Sequence, residues 1–311
     1  MDDAIEILDV ANVENEPRRL REIDRWKRRL AVEIGWHYDL DLIWLLHQIE
    51  RAELPVGATI VDAGAGNGLA QFLLAARGYL VISVDVAPRD PPAAARHYFD
   101  ISTRPREQPV ADAQAQYDHR RGHVTRSALL HALKSPGRAT WLLRRWAEAS
   151  LRAIPSRFSR RDGRGAIEYV SADFSRLADL GTGFADALIS VSAVEHNKLE
   201  VIGQSLMQFE RVVKPGGQLF VTLSAARDRD WFFDACQGWC LTEATIASLF
   251  RLGDYRSNYR EYDRLMEGLR QSRVIRRRVS PFYRTSATNG LPWGHYDPKY
   301  QPVGVRKTVV C

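Results

Sequence analysis

Val61-Asp62-Ala63-Gly64-Ala65-Gly66-Asn67-Gly68 is the stretch whose reading decides the fold. The apolar residues Ala58 to Val61 lead into it as a buried strand, and Leu69 to Arg77 follow it as an amphipathic helix. A second apolar run, Tyr79 to Val84, closes on Asp85. Strand, glycine turn, helix, strand and terminal acid make one nucleoside-binding half of a doubly wound sheet. Glycine lets backbone approach a ligand without a Cβ clash. The start of the new helix offers free N–H groups to a carboxylate or phosphate. Asp85, about twenty residues beyond the first glycine, can accept both hydroxyls of a ribose.

The glycine spacing is G-x-G-x-G, with Leu69 where a dinucleotide fingerprint places its third glycine. Asp62 precedes the glycines; a carboxylate there repels a pyrophosphate but can orient the turn or pair with an amine. Further segments follow in order. Gly165 to Val170 reads as a strand leading to Ala172-Asp173-Phe174, and Ala185 to Ser192 as a strand leading to Val194-Glu195-His196-Asn197. Val201 to Val213 reads as a helix that stops at Lys214-Pro215-Gly216-Gly217 before the strand Gln218 to Leu223. Proline ends the helix and glycine permits the left-handed turn.

These segments, over roughly residues 56–100 and 165–225, resemble the class I S-adenosylmethionine-dependent methyltransferases, in particular the small-molecule and saccharide enzymes of the type 11 and quinone O-methyltransferase groups. The resemblance implies a doubly wound, Rossmann-like seven-stranded α/β sheet, mostly parallel with an antiparallel last strand. It implies S-adenosyl-L-methionine as cofactor, held by Asp62, Gly64, Ala65, Gly66, Gly68, Asp85, Val86, Asp173, Phe174 and Ser192. Within that set Asp173 caps the adenine amino group, Phe174 lies near the ring, and Ser192 lies near the methionine end. A nicotinamide enzyme with a degenerate fingerprint, or a relative that kept the pocket without activity, is the alternative.

With 311 residues the chain is long for one core α/β domain and short for two. The division expected is a helical cap over residues 1–55 and a methyltransferase domain over 56–311. No apolar run reaches the ~18–20 residues that span a bilayer. The acidic start Met1-Asp2-Asp3 lacks the basic region of a secretory signal, so a cytoplasmic location is expected. Cys236, Cys240 and Cys311 fit a reducing compartment; the first two are read as helical, and the three supply neither a zinc nor an iron–sulfur ligand set.

An insertion at about 88–164 separates Asp85 from the strand at Ala166, where one helix and short loops are usual. Ser127 to Leu133 and Thr140 to Ile154 read as helices. Arg104 to Arg164 carries fourteen Lys/Arg against five Asp/Glu, while the whole chain is +6, so the basicity is concentrated there. As a lid its arginines would pair with phosphates of a linked sugar. As an amphipathic element it would touch an anionic membrane surface. Nucleic acid is disfavoured, because no recognition module accompanies the arginines. A solvated basic face is the remaining reading.

In-line methyl transfer to oxygen needs an aligned acceptor, excluded water and a proton acceptor. His196, just past the fourth strand, is the first choice of general base, with His37 and His295 in reserve. Trp36, His37, Tyr38, Trp293 and His295 are candidate acceptor-binding residues. The pair Glu195-His196 also resembles the Glu-x-x-Glu-His metal site of quinone O-methyltransferases, but Ser192 stands at its first acid, so no metal is expected. The stretch Ile34 to Asp41 resembles methyltransferases encoded with surface-polysaccharide enzymes, which implies O-methylation of a saccharide or other small acceptor, one that can bear phosphate. A noncatalytic binding or regulatory subunit is the alternative. Arg273 to Val279 and Val303 to Val310 read as the last two strands.

Overall fold

The computed structural model of the chain describes residues 2–86, 90–104, 165–279 and 296–310. Its strands are β1 (Ala4–Ile7), β2 (Thr59–Ala63), β3 (Leu80–Asp85), β4 (Asp100–Arg104), β5 (Ala166–Ser171), β6 (Ala185–Val191), β7 (Val213–Ala225), β8 (Trp231–Phe233), β9 (Gly238–Leu241), β10 (Arg256–Ser257) and β11 (Gln301–Thr308). They join one sheet in the order β10-β1-β11-β7-β6-β2-β3-β5-β4, with the β8–β9 hairpin attached to β7. From β7 to β4 every pairing is parallel, and β11 runs antiparallel to β7. The doubly wound α/β architecture is therefore present. Its sheet holds eleven strands among the described residues, more than the seven expected.

Successive side chains of a strand point to opposite faces. Ile60, Val81, Ile167, Ile189 and Phe220 enter one buried cluster. Their neighbours Val61, Ile82, Val170, Leu188 and Val221 enter the other. Both faces are covered, as a parallel sheet requires. The helices are α1 (Val10–Glu14), α2 (Pro17–Leu30), α3 (Tyr38–Arg51), α4 (Ala70–Ala75), α5 (Leu199–Val212), α6 (Glu243–Leu249), α7 (Tyr262–Gln271) and α8 (Arg273–Arg278). On α3 the residues Leu42, Leu45, Leu46 and Ile49 are buried, as their helical spacing predicts. Thr242 caps α6 by accepting from the Thr245 N–H.

Trp44 of α3 lies directly over Gly304 of β11. A Cβ added at Gly304 would stand 2.4 Å from the indole Cε2. Gly304→Ala is expected to lower the denaturation midpoint by an overpacking cost of ~1–3 kcal/mol, read by urea titration. An unchanged midpoint would show that the indole moves aside freely.

Four sequence readings change. The N-terminal region is helical only from Val10; Ala4–Ile7 is a strand, antiparallel to β11. Asp100–Arg104 is a further strand beside β5, where no period was legible. Arg273–Arg278 is a helix. Ser272 caps it through the Ile275 N–H, and Arg278 forks onto Asp24 and Asp39 of the overlying helices. The place beside β11 belongs to β1 instead. Cys240 is on strand β9 and Cys236 in the β8–β9 turn, so neither is helical. The insertion's helices fall outside the described residues.

Candidate active site

The site forms at the carboxyl ends of β2, β3 and β6, the end at which such sheets bind ligands. After β2 the chain turns through Gly64 and Gly66 at φ +77° and +53°, left-handed values that glycine adopts without strain. A Cβ on Gly64 would lie 2.5 Å from the Ala193 Cβ and 3.1 Å from the Phe174 ring, and one on Gly68 2.8 Å from the Ala65 carbonyl oxygen. The turn is thus pressed against the segment after β6 on one side and opens on the other.

Two contiguous clefts of about 140 and 400 Å³ flank the turn, both bordered by Glu33, Gly66, Asn67 and Gly68. Tyr38, Asp62 and Val191 line the smaller, and Gln71, Asp90 and Tyr169 the larger. Asp85, at the end of β3, accepts the Gly66 N–H at 2.8 Å. One of its oxygens therefore braces the turn, a duty the sequence reading had not given it. Val86 is the last described residue of that strand end and is half-buried.

Asp62 is 1 % exposed, and its Oδ2 has no hydrogen-bond partner among the described residues. Burial, and then the nearby Asp85 charge, push its carboxyl up to about 8. A buried carboxyl at a cleft wall without a donor is matched by an ammonium group. Asp173 accepts the Ser175 N–H at 2.8 Å in a local turn, and Phe174 is buried against Phe209 beneath Gly64. Phe174 thus supports the turn from the core side.

Ser192, at φ +47°, donates its hydroxyl to Glu195 Oε1 at 2.8 Å. Glu195 is buried, and desolvation raises its carboxyl pKa against the opposing pull of His196 and His37. His196 itself is exposed, with Nδ1 2.9 Å from the Gln237 carbonyl, and lines neither cleft. His37 is buried, its Nδ1 2.5 Å from Asp41 Oδ2. Trp36, His37 and Tyr38 meet Tyr300 and Phe233 in one aromatic group: Trp36 on Tyr300 at 5.5 Å, His37 on Tyr300 at 5.8 Å, Phe233 on Tyr300 at 6.1 Å. Of these residues Tyr38 lines the smaller cleft, while Trp36, His37 and His196 line neither. Trp293 and His295 fall outside the described residues. Asp41, Phe233 and Tyr300 were missed; only the i, i+4 spacing of His37 and Asp41 could have signalled one of them.

Residues 147–221 match a family model described as a methyltransferase domain. The match spans 75 of the 311 residues. No curated protein matches the chain. Among solved structures, it is similar to the 1,6-didemethyltoxoflavin-N1-methyltransferase of Burkholderia thailandensis, which was solved with S-adenosylhomocysteine. The identity is 13%, over 97% of this chain and 87% of that one, with a TM-score of 0.41. It is similar to the cyclase SpnF at 15% identity, over 89% and 83% of the two chains, with a TM-score of 0.44. A methyltransferase from Methanosarcina mazei is 12% identical over 84% of this chain and 97% of its own, with a TM-score of 0.40. Likenesses at this level select no acceptor.

S-adenosylmethionine is the cofactor of this methyltransferase fold, and the residues present fit it. The unpartnered oxygen of the buried Asp62 carboxyl, on the cleft wall, suits the ammonium. No helix among the described residues is long and apolar enough to cross a membrane. No group of three or more metal-ligating side chains occurs among the described residues.

Proposed function

We propose that this chain is a methyltransferase that moves a methyl group from S-adenosylmethionine to a hydroxyl oxygen of a small acceptor, a saccharide being the class to which the Ile34–Asp41 resemblance points. The observation that carries the reading is Asp62, a fully buried carboxyl with an unpartnered oxygen on the wall of the glycine-turn cleft. The bound cofactor supplies a methyl group already activated by its sulfonium. The protein's part is to hold and shield. Gly64 lets the turn press against Ala193 and Phe174, Asp62 offers a carboxyl on the cleft wall, Asp85 braces the turn at Gly66, and Tyr38 closes one wall. The aromatic group around Trp36 excludes water beside it. The basic insertion fits an acceptor that bears phosphate.

The test is mass spectrometry of a small-molecule extract from the native host after incubation with the full chain and trideuteromethyl-labelled S-adenosylmethionine. The expected result is a product carrying the label on oxygen. Label on nitrogen or carbon would refute the hydroxyl acceptor. Cofactor binding with no labelled product in any extract fraction would favour the noncatalytic alternative.

A further inference from the structure

The most closely held titratable cluster in the described chain is not the one at His196. Three ionisable side chains converge behind the Tyr38 wall of the cleft: His37, just before α3, Asp41 one turn into α3, and Glu195 in the turn after β6. All are buried, with His37 6 %, Asp41 0 % and Glu195 1 % exposed. His37 Nδ1 and Asp41 Oδ2 are 2.5 Å apart, and a carboxylate in that position fixes the proton on Nδ1. Among the described residues, Nε2 has no hydrogen-bond partner. Two carboxyl oxygens of the cluster, Asp41 Oδ1 and Glu195 Oε2, are buried and likewise without a partner there. The charge of His196, and less strongly that of His37, opposes the rise that burial gives the Glu195 carboxyl, whose other oxygen accepts from Ser192. The remaining faces of the imidazole are covered by Tyr38, stacked at 5.0 Å, Trp36 at 5.0 Å and Tyr300 at 5.8 Å. Besides Asp41 and Glu195, the titratable groups facing it are thus the phenols Tyr38 and Tyr300.

An imidazole whose Nδ1 is held by Asp41 and whose Nε2 is bare can take a proton at Nε2. The exposed imidazole of His196 is held by one backbone carbonyl, with no carboxylate in hydrogen-bond range among the described residues. We propose that His37, and not His196, is the general base that takes the proton of the acceptor hydroxyl, with Asp41 as its positioning residue and Glu195 stabilising the imidazolium. The inference rests on the methyl-transfer reading above. The acceptor oxygen bonds the methyl carbon with one lone pair and releases its proton to His37 Nε2. The carbon–sulfur electron pair stays on sulfur, so the sulfonium charge ends as the imidazolium charge. Tyr38, stacked on this imidazole, lines the smaller cleft.

Long-range proton–nitrogen NMR on the labelled full chain reads both ring nitrogens without any substitution. The expected pattern at neutral pH is a protonated Nδ1 and a bare Nε2 on His37, with the tautomer becoming mixed in Asp41→Asn. Wild-type His37 with its proton on Nε2 would overturn the proposal. Transfer of the trideuteromethyl label to the host extract gives the second readout. His37→Asn is expected to bind S-adenosylhomocysteine within threefold of wild type yet transfer roughly 10²–10⁴-fold more slowly. His196→Ala is expected to stay within threefold on both. Wild-type transfer by His37→Asn, or its abolition in His196→Ala, would overturn the assignment while leaving the methyl-transfer reading intact. A wild-type chain that binds no S-adenosylhomocysteine would overturn both.

Discussion

Gly64→Ala is expected to weaken cofactor binding at least a hundredfold while the chain still folds. At φ +77° an L-residue carries strain of roughly 1–2 kcal/mol. The new methyl would also stand 2.5 Å from the Ala193 Cβ and 3.1 Å from the Phe174 ring. Neither neighbour is the far end of a flexible chain, so the turn itself must shift, at a further cost of about 1–3 kcal/mol. The shift is directed into the cleft, because the core side is filled by Phe174 and Phe209. Calorimetric titration with S-adenosylhomocysteine is expected to show at least a hundredfold loss of affinity, and thermal unfolding a single cooperative transition at lower temperature. Wild-type affinity in this variant would mean that the ligand does not lie on the turn.

Asp62→Asn flattens the pH dependence of stability and weakens cofactor binding together. The carboxyl has an ordinary value of 3.8 in the unfolded chain and is pushed up to about 8 in the fold, first by burial and then by Asp85. Between those values the folded chain holds a proton that the unfolded chain has lost. Stability from this group is therefore full below about pH 4, falls as pH rises, and is gone above about pH 8. At about 1.4 kcal/mol for each tenfold displacement, several kcal/mol are withheld at pH 9. Wild type is expected to unfold more readily at pH 9 than at pH 5, with Asp62→Asn matching it at pH 5 and exceeding it at pH 9. The same variant loses the charge-assisted bond to the ammonium and is expected to bind S-adenosylhomocysteine ten- to a hundredfold more weakly. A variant that mirrors the wild-type pH profile would show that Asp62 ionises freely.

The legible part of this fold is the part written in local signals. The glycine turn, β2, β3, β6 and α3 each carry their cause within a few residues and appear, whereas Lys214 to Gly217, read as a turn, lie within β7. Of the strands that were missed, β1 and β4 have a distant cause. Ala4–Ile7 is four residues long and is a strand only because β11, some three hundred residues later, pairs with it. Asp100–Arg104 is an edge strand that buries only Ile101, so it shows no alternation to read. Arg273–Val279 offered β-branched residues, but the Ser272 cap and the Arg278 fork onto Asp24 and Asp39 select a helix. At the site, the turn residues were readable because their chemistry is backbone chemistry. The His37 cluster was not, because Glu195 and Tyr300 reach it from elements 158 and 263 positions away. A loop position after β6 recommended His196, yet its imidazole faces solvent and a carbonyl.

The central claim is that the Asp62–Gly68 cleft receives the ammonium of S-adenosylmethionine. Calorimetric titration of the full wild-type chain with S-adenosylhomocysteine at pH 7, in two buffers of different ionisation enthalpy, tests it most directly. The account predicts saturable binding at one site, with a heat that depends on the buffer because Asp62 gives up its proton as the ammonium arrives. Absence of binding, or binding with the same heat in both buffers, would contradict it.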